Sequence, residues 1–232
     1  MAKKQELRKQ RVGTVINTRS KIQEKSLDIA ISGVRDRLRE KFPGVEFDHE
    51  RQWLLKSVVE GLSQAFPDVD FFCAHASSAM RPDGGILSLV SADKKKYPIL
   101  IAEKKNQGTN DLRAAEGKGK QAKGNAIERL GKNAIGFRTA MLEQSIFPFV
   151  CFGDGCDFAA NSSILDRVVT IAMFGQLNKE YLHNSCSDRF NRGSFFFRER
   201  VWSGDEMKER CYSIAEKSVY YYFSKYGEGQ FK

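Results

Sequence analysis

No two cysteines in this 232-residue chain are spaced as CxxC, and the sequence holds only five cysteines and three histidines. A zinc site built from paired thiolates and imidazoles is therefore not expected, and an odd cysteine count gives no disulfide framework. Cys73 in VDFFCAH and Cys151 in FPFVCFG lie in apolar runs. With Cys156, Cys186 and Cys211, they are read as buried free thiols of a protein in a reducing cytoplasm. No run of 18 apolar residues exists, so nothing is expected to span a bilayer. The basic N-terminus MAKKQELRKQR is followed by no apolar stretch and is not read as a secretory signal. With five prolines and 19 glycines, the chain is neither collagen-like nor low in complexity.

What the sequence does have is positive charge. Lys and Arg number 38 against 29 Asp and Glu, a surplus of nine. On its own this surplus fits either a merely soluble basic protein or one with a polyanionic partner, nucleic acid or an anionic membrane surface. Its distribution favours the partner. The first 25 residues carry eight basic and two acidic side chains, and residues 104–123 carry six and two. Both segments have little core-forming content.

No repeat or linker divides the chain, so residues 20–232 read as one α/β domain behind a basic arm at 1–19. Leu27, Ile31, Val34, Leu38 and Phe42 fall at helical spacing and predict a helix over 20–42, ended by Pro43-Gly44. A second helix is predicted near 50–66 on Leu55, Val58, Leu62 and Phe66, with Pro67 after it. VDFFCAH, GGILSLVS and YPILIAE then read as strands, the last two joined by the charged turn 92–96. Residues 104–124 form a long Lys/Gly-rich connection. A helix from Asn125 buries Ile127, Leu130, Ala134, Phe137 and Met141. FPFVCFG is a buried strand, 162–174 a helix, FFFRERV a late strand, and 205–226 a closing helix. Helices and short apolar strands interleave, which predicts a mixed sheet covered on both faces. Phe195–Phe197 and Tyr220–Tyr222 read as core, with stacking on unpaired bases as the alternative.

The chemistry-bearing feature is Arg81-Pro82-Asp83-Gly84-Gly85, followed across a hairpin by Ala102-Glu103-Lys104-Lys105. Glu103 and Lys105 are two apart in a strand and so share a face. The hairpin can bring Asp83 beside them. Two carboxylates and one ammonium suit phosphodiester hydrolysis. The carboxylates offer oxygen donors to magnesium. The ion would lower the pKa of an attacking water and offset charge at phosphorus, and the lysine would orient or deprotonate that water. The bland alternative is a salt-bridge cluster beside a proline-aspartate-glycine turn. Farther on, Asn125 and Glu128 in GNAIER fit a capped helix start. The same segment could also face DNA, because Asn pairs with adenine and Arg with guanine in the major groove.

Together these motifs resemble the EcoRI-like type II restriction endonucleases of the PD-(D/E)xK superfamily. RPDGG is similar to that family's first acidic motif, IAEKKNQG to its Glu/Lys half, and GNAIER with the following KN to its recognition segment and the helix behind it. FPFVCF comes next in the same order. The resemblance runs from about Lys41 through Phe158, and more loosely to the C-terminus. It implies an α/β fold with a mixed five-stranded sheet flanked by helices, and a homodimer around a palindromic site in double-stranded DNA. It also implies Mg2+ held by Asp83, Glu103 and the backbone carbonyl of Lys104, with Lys105 as the catalytic lysine alongside the two carboxylates. DNA contacts are implied for Asn125, Ala126, Arg129 and Arg167, with the segment of Asn125, Ala126 and Arg129 reading the inner adenines and the outer guanine. A restriction system further implies a cognate DNA methyltransferase, without a stable complex. Two features depart from the pattern. Thr170 stands where a second arginine is expected, and the C-terminal third is short, so the outer base pair is less specified than the centre. Other readings remain: a structure-specific repair or junction nuclease of the same superfamily, and a non-catalytic DNA-binding protein. The intact Asp83, Glu103 and Lys105 argue against the last.

Overall fold

A computed structural model describes residues 15–106, 110–119, 125–183 and 192–232. Its centre is a five-stranded sheet in the order β1-β4-β5-β6-β7. The strands are β1 (Glu46–Glu50), β4 (Ile86–Val90), β5 (Lys96–Asn106), β6 (Phe149–Asp154) and β7 (Ser194–Arg198). β1 and β4, and β4 and β5, pair antiparallel, whereas β5, β6 and β7 run parallel. The sheet is mixed because a short hairpin joins β4 to β5, while the parallel pairs need long crossovers that carry helices. A separate two-stranded ribbon pairs β2 (Trp53–Leu54) with β3 (Ala79–Met80).

The strands alternate sides, and each side has its own core. One core gathers Leu87, Leu89, Ala102, Val150, Phe152 and Phe196 under α1 (Val15–Lys41) and the closing helix α6 (Gly204–Tyr226). The other gathers Ile86, Ile101, Phe149, Cys151, Phe195 and Phe197 under α4 (Asn125–Ala140) and α5 (Ile164–Ile171). The aromatic run 195–197 thus supplies both cores by parity; of 220–222 only Tyr222 is fully buried, Tyr221 is partly buried and Tyr220 is exposed, against the expectation that all three are core. The helical stripes read from the sequence are buried too: Leu27, Ile31, Val34, Leu38 and Phe42 in one case, Ile127, Leu130, Ala134, Phe137 and Met141 in the other. Among the described residues no helix is long and apolar enough to cross a membrane.

Four expectations need correction. The first helix begins at Val15, so 15–19 are helix rather than arm; residues 1–14 lie outside the described part. The second helix, α2, spans only Leu55–Ala65, because residues 46–50 form the edge strand β1. Of β1 only Phe47 is buried, which is why its sequence EFDHE carries no strand signal. VDFFCAH is not a strand. β1 already occupies the edge beside β4, the run has no sheet partner, and Phe72 is 85% exposed. Cys73 accordingly is half-buried rather than core, as is Cys156, whereas Cys151 and Cys211 are buried; Cys186 lies outside the described residues. Finally, the 104–124 connection is not one loop. β5 runs on to Asn106 and a short helix, α3 (Asn110–Ala115), follows.

The start of α6 is anchored by Glu206. Its carboxylate meets Arg198 at 2.5 Å and Arg200 at 2.7 Å, and it closes a capping box with Ser203. The Arg198 guanidinium also covers the Trp202 ring at 3.5 Å. Hydrogen bonding from Arg198, then from the Ser203 backbone, holds the Glu206 carboxyl down at about 2. An unfolded glutamate titrates near ~4.3. The stabilisation is therefore complete above that pH and is lost as pH falls through about 2. The stability advantage of the wild type over Glu206→Gln should shrink steadily from pH 5 toward pH 2 in urea unfolding. A difference that does not change with pH would contradict this account of the anchor.

Candidate active site

The turn before β4 and the end of β5 meet in one place. The Gly84 N–H donates to the Ala102 carbonyl at 2.9 Å, and the Ala102 N–H returns a bond to the Gly85 carbonyl at 3.2 Å. Both glycines are needed for this approach. A Cβ on Gly84 would lie 2.9 Å from the Ala102 Cβ. Gly85 has φ +75°, and a Cβ there would lie 2.6 Å from the Glu50 carbonyl and the His49 ring. His49 Nε2 also lies 2.9 Å from the Gly84 carbonyl, tying the turn to β1.

With the turn held so closely, Asp83 lies against β5. Its N–H donates to Glu103 Oε2 at 3.2 Å, and its Oδ2 accepts from the Lys104 N–H at 3.1 Å. Lys105 Nζ contacts both carboxylates: it lies 3.4 Å from Asp83 Oδ2 and in a short contact with Glu103 Oε1. The Glu103 side chain is 1% exposed, that of Lys105 16% and that of Asp83 30%. The structure thus brings Asp83, Glu103 and Lys105 together, as strand parity and the hairpin predict. Burial, with Asp83 adding to it and Lys105 opposing, raises the Glu103 carboxyl above its ordinary pKa. Burial pushes Lys105 down, but Glu103 and Asp83 outweigh it, and its amine stays above the ordinary value. The group is an ammonium here.

Glu103 has a third donor that composition and spacing did not single out. The carboxamide of Asn133, on α4, reaches Glu103 Oε1 at 3.3 Å. Asn133 is four residues beyond Arg129 and eight beyond Asn125, and that interval is the signal that could have found it.

The intervening residue, Lys104, points to the other side of the sheet. Its amine is buried under α6, 2.8 Å from Asp154 Oδ2 on β6, with the two side chains 2% and 3% exposed. Asp154 also accepts from the Trp202 N–H at 3.2 Å. This pairing depends on the parallel register of β5 and β6 and has no sequence signal. Only the backbone of Lys104 therefore faces the candidate site. Among the described residues no group of three or more His, Cys, Asp or Glu side chains gathers. The oxygen donors at the site are the carboxylates of Asp83 and Glu103. Hard oxygens of this kind suit a hard divalent cation, so the residues present fit the expected ion.

The remaining predicted residues sit on neighbouring helices. Asn125 and Ala126 open α4, but their side chains lie outside the described residues. Arg129 is exposed on α4 and Arg167 on α5. The two helices pack so closely that a Cβ on Gly131 would meet Ile171 at 3.4 Å.

Removing one member of a buried pair leaves an uncompensated charge, at a cost of about 3–5 kcal/mol, whereas an apolar pair of similar volume can be nearly neutral. Lys104→Met and Asp154→Leu should each destabilise the fold on that scale. The double variant should recover most of the loss in chemical unfolding. Additive losses in the double variant would show the two groups to be uncoupled.

A family model described as restriction endonuclease EcoRI matches residues 9–229. The chain is 29% identical to the type II restriction enzyme RsrI of Cereibacter sphaeroides over 223 residues, covering 81% of this chain and 80% of that one. It is 27% identical to the type II restriction enzyme EcoRI of Escherichia coli over 235 residues, covering 84% and 85%. A match along nearly the whole chain, on a mixed five-stranded sheet that gathers Asp83, Glu103 and Lys105, places this protein in the EcoRI family of type II restriction endonucleases.

Proposed function

We propose that the protein is a magnesium-dependent endonuclease that hydrolyses both strands of duplex DNA at a palindromic site, GAATTC or an AATT-centred relative, leaving 5′-phosphates. The observation that carries this reading is the convergence of Asp83, Glu103 and Lys105 on one point, within a chain matched by the EcoRI family from residue 9 to 229.

Asp83, Glu103 and the Lys104 carbonyl are the groups that would hold the ion. Bound there, it would supply charge neutralisation at the scissile phosphate and acidify an attacking water. Lys105 sits between the carboxylates, where its ammonium can donate to a phosphate oxygen or to the incoming water. Water adds across the P–O3′ bond, leaving a 5′-phosphate and a 3′-hydroxyl. Burial of Glu103 at 1% exposure keeps competing solvent from its carboxylate.

Recognition is assigned to Asn125, Ala126 and Arg129 at the start of α4, with Arg167 on α5 adding a backbone or outer-base contact. The basic residues 1–14 and the Lys/Gly-rich stretch that follows β5 supply phosphate affinity that is independent of sequence. A homodimer reads a two-fold target, which makes the site a palindrome. Its genetic partner is a methyltransferase that modifies the same sequence, with no stable complex between the two.

Digestion of a DNA of known sequence with magnesium, followed by end sequencing of the fragments, tests the reading directly. Discrete bands support it. A smear, or cutting at junctions alone, favours a structure-specific nuclease, and no cleavage favours a DNA-binding protein. Glu103→Gln and Lys105→Ala should each lower turnover by at least ~10²-fold, with specific binding largely retained in Lys105→Ala. Near-normal cleavage by either variant would remove that residue from the chemistry.

The base assignment has its own test. Arg129→Lys keeps the charge but loses the planar fork. It should lose roughly 1–3 kcal/mol of discrimination at one base pair, while non-specific binding barely changes. Cleavage of duplexes varied one base pair at a time measures this, and a target without central A·T pairs would refute the AATT assignment.

A further inference from the structure

Glu103 is held by donors from two sources. The Asp83 N–H and the Lys105 ammonium both belong to the hairpin that carries Glu103 itself. Asn133 does not. It comes from α4, the helix whose first turns hold Asn125 and Arg129. From Arg129 to Asn133 is four residues, about one turn and ~6 Å along the axis, so the two point to the same side of the helix. The adjoining stripe, Ile127, Leu130, Ala134 and Phe137, is buried against the same sheet side, which also carries Ile101 and Cys151. α4 is thus a continuous rod, packed on the sheet, with its N-terminal end at the candidate reading segment and Asn133 at the buried carboxylate.

The Asn133–Glu103 contact is 3.3 Å, just past the well-formed range of ~2.7–3.2 Å. A displacement of α4 by a few tenths of an ångström along this line would bring the bond to full strength or break it. Asn133 is half-buried and Glu103 is 1% exposed, so little water is available to replace the bond. An orienting bond to a carboxylate that holds a cation commonly governs affinity or rate by ~10–100-fold.

We infer that Asn133 is a positioning residue that reports the seating of α4 on its DNA target to Glu103, so that the carboxylate is correctly oriented only when the helix N-terminus has engaged the right bases. This rests on the nuclease reading above, in which Glu103 serves the chemistry and the start of α4 reads sequence. It predicts that Asn133 contributes to discrimination in cleavage without itself touching a base.

The experiment compares the wild type with Asn133→Ala, Asn133→Gln and Glu103→Gln in single-turnover cleavage at saturating enzyme. The substrates are the site found by fragment sequencing and a duplex altered at one base pair of that site. Binding to both duplexes without divalent cation, and thermal unfolding, are measured in parallel. Asn133→Ala should cut the correct site ~10–100-fold more slowly, with binding and melting temperature close to wild type, and should slow much less on the altered duplex, so the rate ratio between the two falls. Asn133→Gln keeps the carboxamide and should regain part of that ratio. An equal loss on both duplexes, or a loss matched by lowered melting and not recovered by glutamine, would make Asn133 structural and overturn the inference. Wild-type rates for Asn133→Ala would overturn it as well, while leaving the nuclease reading intact provided Glu103→Gln is inactive. A wild-type chain that cuts neither duplex, or a Glu103→Gln variant that cuts normally, would overturn the nuclease reading and this inference together.

Discussion

Everything at the candidate site depends on compensating one buried carboxylate. Glu103 lies on the second core of the sheet, in strand register with Cys151 and among Ile101 and Phe149. Burial raises its pKa, and Asp83 beside it pushes the same way. A buried carboxylate without partners is costly. Lys105 supplies the compensating charge, and the Asp83 N–H and the Asn133 carboxamide supply neutral donors. Each demands something of the fold. The lysine must share the strand face, the turn must fold back on β5, and α4 must lie over the sheet at the right height.

The alternation of β5 then determines what the other side does. Ala102 and Lys104 face α1 and α6, where the room at Lys104 could have held an apolar residue. A lysine stands there instead, neutralised by Asp154, whose other bond runs to the start of the α6 segment through Trp202. Trp202 in turn donates from its indole to the Gly153 carbonyl and lies under Arg198, which pairs with Glu206. A chain of polar contacts therefore runs from the Lys104 side chain on β5 to the capping box of the closing helix. Lys104 is thus held from behind by Asp154 while its N–H donates to the Asp83 carboxylate at the site.

The glycines of the PDGG motif express the same constraint from the turn's side. Gly84 and Gly85 have no room for a Cβ, against Ala102 and Leu27 in one case and His49 and the Glu50 carbonyl in the other. The edge strand β1, whose sequence looks unremarkable, is thereby a support of the site: His49 and Glu50 form the wall that the turn leans on.

By itself the sequence determined what local periodicity and chemical type can determine. The helical stripes of α1 and α4, the buried strands at 86–90 and 149–154, the shared face of Glu103 and Lys105, and the motifs in family order all follow from residues near one another in the chain. It misplaced VDFFCAH and missed β1, because strand formation depends on which edge is vacant rather than on apolar content. Lys104 was legible as a backbone group next to the site, but its buried pairing with Asp154 was not. That partner is fifty residues away and is brought into reach only by the parallel register of β5 and β6. Asn133 likewise reaches Glu103 only because α4 packs on one particular face at one particular height. Contacts of this kind are set by the docking of whole elements, in which no single residue announces its partner, and so the tertiary structure alone decided them.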